Sequence, residues 1–198
     1  GNTAQQVADK VLPSVVSITT SSDSSTNTGS GCVMDEEGHI ITNYHVIEGA
    51  DELVVSMNGE NYDATVVGYD DSSDLAVIKI DCDKDKLTPI TFGDSDKLDI
   101  GEFVMAAGSP FGNEQSVSVG IISSLNRSTA MSSISGTTIY ADLIQTDAAI
   151  NPGNSGGALV DGNGNLIGIC SLIESYSGSS SGVGFAIPSN YAIDIATQ

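Results

Sequence analysis

Tryptophan is absent from this 198-residue chain, histidine occurs only twice, and lysine plus arginine total six against 26 acidic residues. The resulting formal net charge of −20 excludes nucleic acid as a partner, because phosphates would be repelled by such a field. It also disfavours anionic membrane surfaces. Any gain for cationic substrates is weak, since screening acts over about 8 Å at physiological salt. The three cysteines, Cys32, Cys82 and Cys170, are odd in number, so at least one is unpaired within the chain. Their spacing, with His39 and His45, has no zinc-ligand pattern. Cys32 and Cys170 fall in apolar runs and read as small core residues. Asp81, Asp83 and Asp85 resemble the start of a calcium loop, but Lys86 and Phe92 stand where that loop requires Gly and Glu. No metal or other cofactor is expected. Apolar runs of about 18 residues, the length of a membrane-spanning helix, are missing, as is a secretory leader.

Long helical periodicity is also missing. What the chain has instead is 22 glycines and short apolar or alternating runs between turn signals, at 15–20, 31–35, 39–43, 53–57, 63–69, 75–80, 103–107, 116–125, 143–147, 157–161, 166–173 and 182–187. Polar connections such as Asp35-Glu36-Glu37-Gly38 and Asp161-Gly162-Asn163-Gly164-Asn165 predict hairpins. Helices are expected only near the ends, over about Thr3 to Leu12 and after Pro188-Ser189-Asn190. A polar linker around Phe92 to Ile100 divides the chain, predicting an all-β protein with a first barrel over about 14–92, a second over about 99–188, and a C-terminal helix starting within 189–198. Three polar stretches, Ser21 to Gly31, Arg127 to Thr138 and Ser175 to Gly182, read as mobile loops.

The chemistry is concentrated in Gly153-Asn154-Ser155-Gly156-Gly157. A serine hydroxyl is a weak nucleophile until an imidazole takes its proton and a carboxylate holds that imidazole in the right tautomer. A glycine turn before the serine aims backbone N–H groups, here those of Gly153 and Ser155, where a tetrahedral intermediate develops negative charge. His39 follows an acidic turn at the edge of a run and reads as a surface residue. His45, at the end of Thr42-Asn43-Tyr44-His45-Val46-Ile47, is the candidate base. Spacing cannot choose among the aspartates, but context favours Asp74, which directly precedes the apolar run Leu75 to Ile80. Asp63, Asp70, Asp71 and Asp81 sit beside turns or other acids. No histidine follows Ser155, which excludes the order of an α/β-hydrolase. The order His45, Asp74, Ser155 is that of chymotrypsin. Cys170, the rival nucleophile, has no glycine turn.

Four ordered segments, Thr42 to Ile47, Asp74 to Ile80, Gln145 to Leu159 and Gly184 to Asn190, resemble the HtrA/Deg serine proteases, and the resemblance covers nearly the whole chain. It implies a chymotrypsin/trypsin-like double β-barrel with His45, Asp74 and Ser155 as the triad and an oxyanion hole at Gly153, Asn154 and Ser155. It further implies an ATP-independent endopeptidase that hydrolyses unfolded or misfolded proteins through an acyl-enzyme. Asn154 stands where trypsin-like zymogens carry an Asp, so activation by a new N-terminus is not expected. Instead Leu125-Asn126-Arg127-Ser128 resembles the family's sensor loop, with Arg127 as the regulatory residue. The resemblance places the substrate pocket between Ile150, Asn151 and Pro152 on one side and the strand Ser171-Leu172-Ile173 on the other. That aliphatic lining predicts cleavage after small or medium aliphatic residues.

By the same resemblance the whole protein is expected to be a homotrimer outside the cytoplasm, secreted or tethered by an N-terminal membrane helix. It is also expected to carry a PDZ domain, and the end at Ala196-Thr197-Gln198 within an expected helix is read as a chain that continues. The alternative reading is a catalytically silent, chaperone-like scaffold on the same fold. An esterase or acyltransferase with the same triad would need a closed pocket rather than an open strand-pairing cleft.

Overall fold

In the computed structural model, residues 3–111, 114–133, 136–171 and 184–196 are described. The first six strands are β1 (Val15–Ser21), β2 (Thr26–Val33), β3 (His39–Asn43), β4 (Glu52–Met57), β5 (Glu60–Asp70) and β6 (Leu75–Ile80). They close into a barrel in the order β1-β2-β3-β6-β5-β4. The second six are β7 (Phe103–Phe111), β8 (Glu114–Ser133), β9 (Gly136–Thr146), β10 (Ala158–Asp161), β11 (Leu166–Ser171) and β12 (Gly184–Pro188). These close in the order β10-β11-β12-β9-β8-β7. Every pairing within the barrels is antiparallel, and closure gives each strand a neighbour on both sides in its barrel.

Helix α1 (Ala4–Val11) starts at Thr3, whose hydroxyl accepts from the Gln6 N–H while the Gln6 side chain reaches back to the Thr3 N–H. This reciprocal pairing satisfies two otherwise orphaned donors. Helix α2 (Tyr44–Ile47) is one turn following β3, and α3 (Asn190–Ala196) follows β12. Burial explains why two barrels form one body. Val16, Ile18, Ile40, Val55 and Ile78 fill the first, while Val104, Ala106, Ile122, Ile144 and Ile167 fill the second. A third cluster crosses the seam, joining Cys32, Ile41 and Val77 to Met105, Ala107 and Ala158, and is closed by Val7 and Val11 of α1 and Ala192 and Ile195 of α3. Each fully buried aliphatic side chain here contributes about 1.5–3 kcal/mol of transfer free energy, so the seam is held as firmly as either barrel interior.

Two of the polar stretches are not loops. Thr26 onward belongs to β2, because Thr26, Asn27 and Thr28 pair with Ser21, Thr20 and Thr19. The described part of 127–138 continues the β8–β9 hairpin as a ribbon, with Arg127 opposite Leu143 and Ser133 opposite Gly136. Polarity misled the reading in both places: a ladder satisfies the backbone whatever the side chains, and β-branched Thr and Ile favour it. Residues 175–182 lie outside those described.

Candidate active site

Asp74 is placed by a turn. It follows β5 in a left-handed conformation (φ 58°), one that Asp adopts more readily than most residues, and its carbonyl accepts from the Tyr44 N–H at 3.0 Å. The carboxylate is buried, with 3 % of its side chain exposed. Its Oδ1 accepts from the His45 backbone N–H at 2.8 Å and its Oδ2 lies 2.6 Å from His45 Nδ1. Both bonds orient the imidazole, leaving Nε2 facing Ser155 Oγ at 3.3 Å. The Tyr44 and Tyr69 rings stack at 4.4 Å, 12° from parallel, so the turn carrying His45 is braced against β5. The three residues picked from the sequence therefore stand in one hydrogen-bonded row, His45 and Asp74 from the first barrel and Ser155 from the second.

The serine turn is sewn to both barrels. Ser30 is the stitch: its N–H donates to the Ser155 carbonyl at 3.0 Å, its hydroxyl donates to the Gly153 carbonyl at 3.0 Å, and its carbonyl accepts from Thr42 Oγ1 at 2.8 Å. On the other side the Gly156 N–H donates to the Cys170 carbonyl at 2.8 Å. Gly156 has φ +87°, and a Cβ there would lie 2.2 Å from the Ser30 carbonyl oxygen, so only glycine fits.

The oxyanion hole expected at Gly153, Asn154 and Ser155 is not assembled in this conformation. The Gly153 N–H donates to Asn151 Oδ1 at 2.9 Å, and the Asn154 and Ser155 N–H groups both donate to the Asn151 carbonyl at 3.1 Å. Residues 151–155 thus form a helical turn that turns its donors inward. Asn154 braces it, its side chain donating to the Ala149 carbonyl and accepting from the Asn151 N–H at 2.8 and 3.0 Å. The physical reason is local: backbone N–H groups need acceptors, and Asn151 offers two.

One residue near Ser155 escaped sequence reasoning, and another makes a contact that the sequence did not predict. Asn43, fully buried, has its Oδ1 3.0 Å from Ser155 Oγ, accepting the hydroxyl at a shorter distance than His45 Nε2. Its position two residues before His45 was the only available signal. Ser171, expected in the substrate pocket, directs its hydroxyl to Asp74 Oδ2 at 3.4 Å. Leu172 and Ile173 lie outside the described residues. Ile150 packs against Gly184 of β12, where an added Cβ would meet its side chain at 3.0 Å, while Asn151 and Pro152 are exposed. The Arg127 backbone is in β8, opposite Leu143, and the structure describes nothing of its side chain.

Burial pushes the Cys170 thiol up to about 12 and the Cys32 thiol further still, with Cys170 nearby reinforcing the latter. Neither can supply a thiolate at neutral pH, which removes Cys170 as a nucleophile. Asp35, Glu37 and His39 bring three potential metal-ligating atoms within 4.8 Å of one another at the β2–β3 hairpin. There His39 Nδ1 already pairs with Asp35 Oδ2 at 2.8 Å.

Comparison with known proteins agrees with this geometry. Residues 29–169 match the trypsin-like peptidase domain. Protease Do-like 1, chloroplastic, of Arabidopsis thaliana is 53 % identical over 161 residues, 81 % of this chain and 36 % of that protein. The periplasmic pH-dependent serine endoprotease DegQ of Escherichia coli is 46 % identical over 172 residues, 86 % of this chain and 36 % of its own length. The chain thus spans about a third of these curated relatives. Among solved structures, an HtrA-type protease AlgW with tripeptide superimposes with a TM-score of 0.85 at 43 % identity, covering 99 % of this chain and 63 % of that one. With a double barrel, a His-Asp-Ser row across its seam and these relatives, the chain belongs to the trypsin-like peptidase family, among the HtrA/Deg serine proteases.

Proposed function

We propose that this chain is the protease domain of an ATP-independent endopeptidase that hydrolyses unfolded polypeptides after small or medium aliphatic residues. The observation that carries this reading is His45, bonded to buried Asp74 through Nδ1 and facing Ser155 Oγ through Nε2. Ser155 Oγ attacks the scissile carbonyl carbon as its proton passes to His45 Nε2, giving a tetrahedral oxyanion and an imidazolium held by Asp74. Collapse breaks the C–N bond, and the imidazolium proton goes to the leaving amine. Water, deprotonated by the same nitrogen, then cleaves the acyl-enzyme and restores the Ser155 hydroxyl.

The Gly153 and Ser155 N–H groups are the donors for that oxyanion once they leave Asn151. Activity is therefore governed by rearrangement of turn 151–155, with Arg127 as the residue that relays the activating signal. Ile150, Asn151 and Pro152 form one wall of the substrate pocket, and β11 with Leu172 and Ile173 forms the other, pairing with the substrate as an added strand. Ile150 against Gly184 gives that pocket an aliphatic character. The whole protein is proposed to act outside the cytoplasm, as the names of periplasmic relatives suggest, as a homotrimer with a PDZ domain and a membrane tether.

Casein degradation without ATP tests the reading, with Ser155→Ala as the control. The variant is expected to lose about 10⁶-fold in kcat, and Asp74→Asn about 10⁴-fold. Undiminished degradation by Ser155→Ala would refute it, and no degradation by the parent chain under any condition would favour the silent scaffold. A peptide library dominated by cleavage after Arg or Lys would refute the pocket.

A further inference from the structure

A cavity of about 350 Å³ lies between the 95–98 turn, the β8–β9 pair at Leu125 and Ile144, and the start of α3. None of its lining residues belongs to the triad or to turn 151–155. Its apolar surface includes Leu98, Leu125 and Ile144, partly or fully buried side chains of the second-barrel core, with Pro188 and Tyr191 beside them. Its polar side is anionic: Asp96 and Asp142 line it, and among the described residues no lysine, arginine or histidine does. The adjacent Lys97 faces Asp94 at 4.0 Å and is 84 % exposed.

The Tyr191 hydroxyl donates to Asp142 Oδ2 at 2.9 Å. Its own ionisation is driven upward, first by burial, then by the bond to Asp142 and by the negative charges of Asp142 and Asp96. Both carboxylates and this hydroxyl-bearing ring line the same cavity. An anion would meet two like charges here. A wholly apolar ligand would desolvate carboxylate oxygens without compensating them. The lining suits a group with an aliphatic stem for Leu98, Leu125 and Ile144 and a cationic head for Asp96 and Asp142, where charge-assisted bonds are the strong ones.

We propose that this cavity binds a lysine or arginine side chain presented by a polypeptide partner. Its volume lies at the lower end of the range, about 300–1,000 Å³, of pockets that bury most of a ligand. It thus holds more than a lone ammonium group, and the Asn126 amide on its wall can pair with a peptide unit of the partner. The net charge of −20 favours a basic partner at long range, and the cavity supplies the specific contact. This site is independent of the proteolytic reading.

The test uses the Ser155→Ala chain, which cannot consume peptides through the proposed nucleophile, titrated by NMR at about 0.15 M salt. The probes are a blocked Gly-Lys-Gly peptide, the same peptide with norleucine for lysine, and n-butylammonium. The lysine peptide should bind about tenfold more tightly than the norleucine peptide, a difference of about 1.4 kcal/mol. It should also bind more tightly than n-butylammonium. Asp96→Asn with Asp142→Asn should weaken it about tenfold, whereas Asp81→Asn with Asp85→Asn, an equal change in net charge at another surface, should not. Matching thermal melting curves establish that both double variants fold. Absence of saturable lysine-peptide binding, equal binding of the norleucine peptide, or equal loss in the two double variants would overturn the site. Butylammonium binding as tightly as the peptide would overturn the polypeptide partner and leave a small-amine pocket.

Discussion

Replacing Asn151 by alanine should activate the protein, although Asn151 stands beside the nucleophile. In the present conformation its Oδ1 takes the Gly153 N–H at 2.9 Å, while its backbone carbonyl takes the Asn154 and Ser155 N–H groups. Alanine removes only the first of these bonds. One neutral hydrogen bond is worth about 0.5–1.5 kcal/mol net, and its loss from the inward-turned state raises the population of the state with donors free. At about 1 kcal/mol that is roughly a fivefold gain when the competent state is the minor one. kcat/KM on a valine-ending chromogenic peptide should therefore rise about three- to tenfold, limited because two bonds to the carbonyl persist. Asn151→Asp supplies the opposite sign: its carboxylate accepts more strongly than an amide, so the turn is held inward and activity falls. Circular dichroism confirms that each variant folds. A loss of more than about tenfold in a folded Asn151→Ala, or a gain in Asn151→Asp, would refute the idea that Asn151 restrains the oxyanion donors.

Other outcomes follow from the same contacts. Ser171→Ala removes a long bond of 3.4 Å to Asp74 Oδ2, leaving the two His45 bonds to hold the carboxylate. kcat should fall by only about two- to tenfold with KM little changed, as read by initial-rate kinetics. Gly156→Ala combines a left-handed backbone with a contact 2.2 Å from the Ser30 carbonyl. It should lower stability by about 2–4 kcal/mol in urea unfolding, and an unchanged midpoint would count against that packing. With the thiols of buried Cys32 and Cys170 raised by desolvation and only Cys82 partly exposed, a thiol reagent at about pH 8 should label Cys82 alone until the chain unfolds. Burial, then the charge of Asp83, also raises the Cys82 thiol. Its labelling should therefore quicken as pH climbs beyond the ordinary thiol range.

The row proposed as catalytic was legible because its chemistry demands residue types that this chain has in short supply. With two histidines, chain order alone separated the mechanisms, and the run after Asp74 marked a carboxylate at the rim of a core. Most of the strands were legible for a related reason: alternating apolar residues must face a barrel interior, and the runs at 39–43 and 75–80 coincide with β3 and β6. Contacts between polar groups distant in sequence were not legible. Ser30 stitching the two barrels, Ser171 reaching Asp74 and Asn43 accepting the Ser155 hydroxyl depend on register and closure, which composition does not encode. Polarity also concealed strand in Thr26–Gly29 and in the β8–β9 ribbon, where backbone pairing rather than side-chain burial sets the conformation. The inward turn at 151–155 was hidden for a different reason. One glycine-rich sequence can aim its N–H groups in either direction, and the choice rests on the three hydrogen bonds to Asn151.

Covalent trapping is the most direct test of an alkoxide formed at one serine by one imidazole. Treated with a fluorophosphonate and digested for mass spectrometry, the native chain should carry a single phosphonyl adduct on Ser155, absent after denaturation and slowed by orders of magnitude in His45→Ala. Adduct on another residue, or equal labelling of Ser155 with and without His45, would contradict the account.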